Sequence, residues 1–294
     1  MPQKKLIRRL KEKTTVSIFV LPVVITLGAL LLYPFLYGIY ISFFNTNLVN
    51  RWRFVGFKNY LDVFGASYFG SSMWVTARFT FFVVLGHFIL GLLFAVLLNK
   101  PIKGRTFFRA VLVLPWLLPQ VVVSNIFKWI LNAANGLLNA FLQSIGMIQE
   151  PISFLGTAAW ALPAVIFVCI WKGYPLVMIQ LLGGMQSISA DLYEAATIDG
   201  AGIWKQFFHV TLPGLKPTIL VTLILDTVWW FKHVPIIYQL TGGGPGTATN
   251  TISLEIYRRA FEYNKYGPAA AIATIVFLIC LLISVIQKKV LKDE

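Results

Sequence analysis

Asp226 is an isolated acid within a long apolar run, and Trp229, Trp230 and His233 follow it at i+3, i+4 and i+7. On a helix that spacing sets a carboxylate, two indoles and an imidazole along one face. Carboxylate oxygens accept from hydroxyls and indole faces cover apolar C–H surfaces, so the stripe suits a sugar. The carboxylate can equally pair with a basic group on another segment, because a charge in an apolar layer is costly without a partner. Lys172 and Tyr174 stand beside Pro175, where a broken helix would open backbone groups to a cavity. His87, a lone histidine in an apolar run, reads either as a ligand contact or, as is more usual for such a residue, as one satisfied by a neighbouring segment. Trp160, Ala164, Phe167, Trp171, Tyr174 and Met178 recur at helical spacing and read as packing. Gly242, Gly243, Gly244, Pro245 and Gly246 would make a poor phosphate cradle, since no Lys-Ser or Lys-Thr follows. No nucleotide-binding loop of that kind occurs anywhere, so ATP hydrolysis is not expected of this chain. Cys169 and Cys280 both lie in apolar runs, which argues against a disulfide framework or a zinc site.

The elements that must position these groups follow from composition. The 294 residues are 57% hydrophobic and 12% charged, against about a quarter charged in soluble domains. A span needs roughly 20 mostly apolar residues, and six stretches qualify. The first lies within Val16–Phe44, with Pro34 a kink or an end. The second is Phe79–Leu98, and the third Ala110–Ile130, holding Pro115 and Pro119. The fourth, Phe154–Leu182, is interrupted by Pro163 and by Lys172-Gly173-Tyr174-Pro175. The fifth starts near Pro217 and is broken by Asp226, Lys232, His233 and Pro235; the sixth is Gly267–Ile286. The expected organisation is a basic tail (1–15), a six-helix transmembrane domain (16–286) and a second basic tail (287–294).

The net charge of +14 is placed as in a membrane protein and not as in a nucleic-acid-binding one. Lys4, Lys5, Arg8, Arg9, Lys11 and Lys13, then Lys100, Lys103, Arg105 and Arg109, then Lys288, Lys289 and Lys292 all flank apolar runs. Six spans with basic tails put both termini in the cytoplasm. Arg258, Arg259 and Lys265 are then an exception on the outer side, within the loop 236–266. Residues 183–216 face inward. There Asp191 and Glu194 have the form of a capping pair, preceded by Ser187 and Ser189 as further caps, for a short helix ending near Ile198. Gly200 and Gly202 permit a sharp reversal. A second piece, Trp204–Thr211, is set off from the next span by Pro213 and Pro217.

Glu194-Ala195-Ala196, three residues, Gly200, nine residues, Val210, one residue and Leu212-Pro213 resemble the EAA loop of the membrane subunits of binding-protein-dependent ABC importers. Val210 replaces the usual isoleucine. The wider wording DLYEAATIDGAGIWKQFFHVTLPGL is similar to the carbohydrate branch, of the maltose and glycerol-phosphate type, although Ser189 stands near a customary proline. YQLTGGGPGTATNTISLEIYRRAF, Tyr238 to Phe261, resembles the outer loop of the first permease subunit of that branch; Lys232 replaces an aspartate common there. The resemblance implies an all-α polytopic protein with the type I ABC importer permease fold, in a prokaryotic plasma membrane. It implies a coupling helix that docks on an ATPase dimer, with Glu194 as the charged contact, Ala195 and Ala196 as the close-packing face and Gly200 as the turn. Asp199, Ala201, Leu212 and Pro213 complete that segment. Further implied partners are a second permease subunit and an extracytoplasmic solute-binding protein. ATP and magnesium would sit on the ATPase, with no cofactor or metal on this chain. A sugar, oligosaccharide or sugar-like solute is the expected cargo, and the glycine loop would close the pathway or meet the binding protein. The alternative is a secondary transporter driven by an ion gradient, with Asp226 as the coupling site.

Overall fold

A computed structural model describes residues 19–293. Val16, the six basic residues before it and the side chain of Lys292 lie outside the described residues. Apolar composition makes this fold helical, because a backbone in hydrocarbon must satisfy its own hydrogen bonds. Five described helices are long and apolar enough to cross a membrane, and a bent pair would make a sixth. The chain forms two compact units, the first comprising residues up to Phe64 with Arg259–Thr274, the second Gly65–Arg258 with the C-terminal segment from Ile275.

In the first unit, α1 (Phe19–Ile41) passes straight through Pro34, where the sequence suggests a kink or an end. A π-turn at Gly28–Leu32 stands just before the proline and shifts the hydrogen-bond ladder ahead of a ring that has no N–H to offer. A short hairpin follows, absent from the all-helical expectation: β1 (Phe44–Thr46) pairs antiparallel with β2 (Trp52–Phe54). Its turn is held by Asn47 Oδ1, which accepts from the N–H groups of Val49, Asn50 and Arg51. α2 (Lys58–Phe64) is tied back by Asn59, whose Nδ2 donates to the carbonyls of Ser42 and Phe44.

The second unit is built on α3 (Ser67–Asn99) and α7 (Ala158–Gln186), which pack along their length. Small residues allow the approach: a Cβ at Gly91 would stand 2.8 Å from Val177 Cγ1. Contrary to the expected interruption, α7 is one continuous helix through Pro163 and Pro175. Each proline removes one ladder bond, but the neighbouring helices over-determine the helical path. The third span is instead the broken one. α4 (Arg105–Leu117) and α5 (Gln120–Ile130) meet at 93° across Leu118 and Pro119, because the residue before a proline is driven out of the helical region; Leu118 has ψ 137°. α6 (Leu137–Ser144) follows.

α8 (Ala190–Ile198) and α9 (Ile203–Phe231) come next. Pro213 and Pro217 do not separate the amphipathic piece from the fifth span; α9 runs through both. A π-turn at Phe207–Thr211, in which the Leu212 N–H reaches back to the Phe207 carbonyl, precedes Pro213 as the first π-turn precedes Pro34. Nor does Asp226 break the helix: α9 ends only at Phe231. α10 (Pro235–Thr241), α11 (Ile252–Tyr257) and the long α12 (Tyr266–Asp293) complete the chain.

Candidate functional site

A cavity of about 380 Å³ lies among α4, α5, α7 and α9. It gathers Lys172, Asp226, Trp229 and Trp230 from the sequence-derived set, and adds Trp116, Gln120 and Gln180. Gln120 and Gln180 were missed; each is an uncharged polar residue next to apolar ones, a weak signal that becomes informative only once both face one space. Tyr174 is elsewhere: its hydroxyl donates to the Leu112 carbonyl at 3.2 Å and its ring packs on Phe94. His233 follows the end of α9, its ring 4.4 Å from that of Trp230, and its Nε2 accepts from the Ile236 N–H at the start of α10.

Asp226 has the partner that apolar surroundings demand. Its Oδ2 is 2.9 Å from Nδ1 of His87, and the other ring nitrogen, Nε2, is 3.0 Å from the Cys169 carbonyl. His87 is fully buried and Asp226 is 8% exposed. The cross-helix pairing also answers the question of what satisfies His87. Gly173 makes it possible, since a Cβ there would overlap the imidazole and stand 2.8 Å from Trp230 Cζ2. Lys172 reaches the broken third span, its Nζ donating to the Trp116 carbonyl at 2.6 Å. That carbonyl lies in the last turn of α4, where helix groups lack ladder partners and the dipole favours a cation. Lys172 and Tyr174 therefore act as clasps on α4, and the broken backbone they were expected to mark is on the helix opposite.

The second candidate region is the projection formed by α8 and the start of α9. Ser189, and not Asp191, caps α8, accepting from the Asp191 N–H. The helix closes with Gly200 N–H to the Thr197 carbonyl and Ala201 N–H to the Ala196 carbonyl, a left-handed glycine stop at φ +73°. Gly202, at φ −71°, needs no such freedom, so Gly200 alone makes the reversal. Two contacts brace the projection: Tyr193 to Thr211 at 2.9 Å and Gln206 to Thr197 at 3.0 Å. α8 buries no residue, Glu194, Ala195 and Asp199 are exposed, and Ile198 and Trp204 are 86% and 76% exposed. Leu212 and Pro213 lie beyond the tip, inside α9.

The glycine loop is folded upon itself. Gly242 and Gly243 take φ +56° and +92°; Thr249 donates its N–H to the Gly243 carbonyl and its hydroxyl to the Gly244 carbonyl. Pro245 closes a turn by accepting from the Ala248 N–H. Arg258, one of the cations that strained the charge rule, donates to the Gly242 carbonyl. The following segment is pinned to α3 by the Ile252 N–H, which donates to Thr76 Oγ1 at 2.8 Å. No group of three or more metal-ligating side chains occurs among the described residues.

Comparison with known proteins places the chain in a family. The trehalose/maltose transport system permease protein MalF of Thermococcus litoralis is 40% identical over 237 residues, covering 81% of this chain and 79% of that protein. The crystal structure of a bacterial ABC transporter involved in the import of the acidic polysaccharide alginate contains a chain that superposes with a TM-score of 0.84 at 25% identity, covering 98% of this chain and 99% of that one. A second structure, of a bacterial alginate ABC transporter in complex with an alginate pentasaccharide-bound periplasmic protein, gives a TM-score of 0.82 at 25% identity, covering 96% and 95%. The architecture is that of type I ABC importer permeases. Residues 87–293 match the family described as the binding-protein-dependent transport system inner membrane component, and the chain belongs to that family.

Proposed function

We propose that this permease subunit carries a sugar or sugar-like solute through the cavity around Asp226, and that the α8 projection couples it to an ATPase dimer. The observation that carries the coupling is the projection itself: a helix with no buried residue, a glycine-locked reversal and exposed Ile198 and Trp204, which is the form of a surface completed by another protein. Glu194, Ala195 and Ala196 are its contact face, with Asp199, Gly200 and Ala201 forming the turn. A moving ATPase surface would shift this handle and, through the rigid α9, the wall of the cavity that bears Asp226, Trp229 and Trp230. ATP and magnesium belong to the ATPase, and this chain binds no cofactor of its own.

The sugar assignment rests on the cavity's chemistry, a carboxylate oxygen, two amides and indole faces, and on the trehalose/maltose and alginate systems to which the chain is similar. A second permease subunit completes the pathway, and a soluble binding protein delivers the solute at the outer face near the loop of Gly242, Gly243, Gly244 and Pro245. Both termini lie in the cytoplasm of a prokaryotic cell. An ion-gradient-driven mechanism through Asp226 has no support, since its carboxylate is held in a structural pair and the family is binding-protein-dependent.

The test is ATP-driven uptake of labelled maltose and trehalose by the intact transporter in proteoliposomes. Glu194→Lys is expected to abolish uptake and release the ATPase on purification, with the spans still inserted. Uptake without ATP, or undiminished coupling in Glu194→Lys, would overturn the proposal.

A further inference from the structure

We infer that His87 is a positioning residue for the solute cavity, fixing the carboxylate of Asp226 so that a single oxygen, Oδ1, faces the solute in one direction. This rests on the sugar reading above and deepens it. His87 does not line the cavity; it stands behind Asp226 on α3. Its two nitrogens are both committed, Nδ1 to Asp226 Oδ2 at 2.9 Å and Nε2 to the Cys169 carbonyl at 3.0 Å. A carbonyl can only accept, so Nε2 is the donor there, and the remaining proton lies between Nδ1 and Oδ2. The ring has no freedom to turn: the Trp230 ring lies 5.0 Å away, and Gly173 approaches so closely that even a methyl group would collide with it.

A fixed ring fixes the carboxyl group hydrogen-bonded to it. Oδ2 is spent on His87; Oδ1 makes no hydrogen bond to the described residues and is not sealed from the surface, and Asp226 forms part of the cavity wall. Oδ1 is therefore the carboxylate oxygen offered to a solute. A carboxylate free to rotate would accept from hydroxyls in many orientations. One held from behind accepts from a hydroxyl in one orientation, and so separates epimers that differ only in an axial or equatorial group.

The test uses the different reach of two amides. Asparagine places its amide nitrogen where histidine has Nδ1, so His87→Asn can still donate to Asp226. Glutamine reaches the position of Nε2, so His87→Gln can serve Cys169 but not Asp226. In proteoliposomes holding the complete transporter, the uptake ratio of labelled maltose to its epimer at the 4-hydroxyl of the non-reducing ring is measured at saturating binding protein. That protein is common to all variants, so a changed ratio belongs to this chain. His87→Asn is expected to keep the wild-type ratio within about twofold, while His87→Gln and Asp226→Asn flatten it by about tenfold. Adding His87→Gln to Asp226→Asn should change nothing further. Equal ratios for the asparagine and glutamine variants, or additive losses in the double variant, would overturn the inference in favour of a packing role. If the wild type carries neither sugar, the solute reading fails by itself. The difference between wild-type and His87→Asn 15N-histidine spectra of the transporter then decides the pairing: two hydrogen-bonded ring nitrogens uphold it, and a free Nδ1 refutes it.

Discussion

A methyl group at position 173 asks for room that the helix packing does not leave. In Gly173→Ala the new Cβ would overlap His87 Cε1 and Nε2 and stand 2.8 Å from Trp230 Cζ2. Taken alone, replacing a glycine inside a helix by alanine stabilises by roughly 0.5–1 kcal/mol. Against this, overpacking costs about 1–3 kcal/mol. Backing the imidazole away by the ångström or so that ordinary contact requires would also stretch its 2.9 and 3.0 Å bonds beyond useful range, the one to the Asp226 carboxylate worth about 1.5–3 kcal/mol and the one to the Cys169 carbonyl about 0.5–1.5 kcal/mol. Because the ring retreats only as far as it must, part of each term survives, and the net expectation is a loss of about 2–4 kcal/mol. Gly183 is the internal control, since it lies in the same helix with nothing within 4 Å of its would-be Cβ; Gly183→Ala should be neutral or stabilising by up to about 1 kcal/mol. The assay is thermal unfolding of the purified transporter in a Cys280→Ser background, followed by a thiol-reactive dye that reaches buried Cys169 on α7 only when the helix opens. Gly173→Ala should open roughly 5–15 °C below Gly183→Ala. Coincident transitions, with uptake intact in both, would mean that the close approach of α7 to His87 is not a structural requirement.

Three further expectations follow from single contacts. Lys172→Met leaves the Trp116 carbonyl without its donor and should destabilise the bent pair by about 1–3 kcal/mol; unchanged unfolding in the same assay would show that Nζ is not its clasp. Thr76→Val keeps the shape of α3 but leaves the buried Ile252 N–H unpaired, so proteolysis across 247–251 should accelerate, and equal cleavage rates would refute the pinning. Gly200→Val forces a β-branched residue to φ +73°, at a cost of about 1–3 kcal/mol, and should lower both uptake and ATPase co-purification, whereas Gly202→Ala, at φ −71°, should be tolerated; equal effects would mean that the reversal is not made at Gly200.

The amino-acid order carried the class of this protein, the existence of its spans and the projection at Glu194. These are local properties: twenty apolar residues bury themselves in lipid wherever they occur, and a glycine required at a left-handed position is visible as a glycine. The order misled at prolines. Pro34, Pro163, Pro175, Pro213 and Pro217 all sit inside helices, two of them behind π-turns, while Pro119 accompanies a right-angled break. A proline removes the same N–H in every case, and whether the chain bends depends on what packs around it.

The β1–β2 hairpin was invisible for a similar reason, since it is held by Asn47 and by Asn59 from another element, not by any alternating run. Part of the cavity, Lys172, Asp226, Trp229 and Trp230, was legible as residue types but not as an arrangement. Asp226 and His87 are 139 residues apart, and no spacing along the chain relates them. The sequence alone left Asp226 open between a solute and a basic partner and pointed His87 toward a neighbouring segment, because an apolar span tolerates neither group unpaired. Only the packing of α3 on α9, across the gap left by Gly173, decided that they satisfy one another.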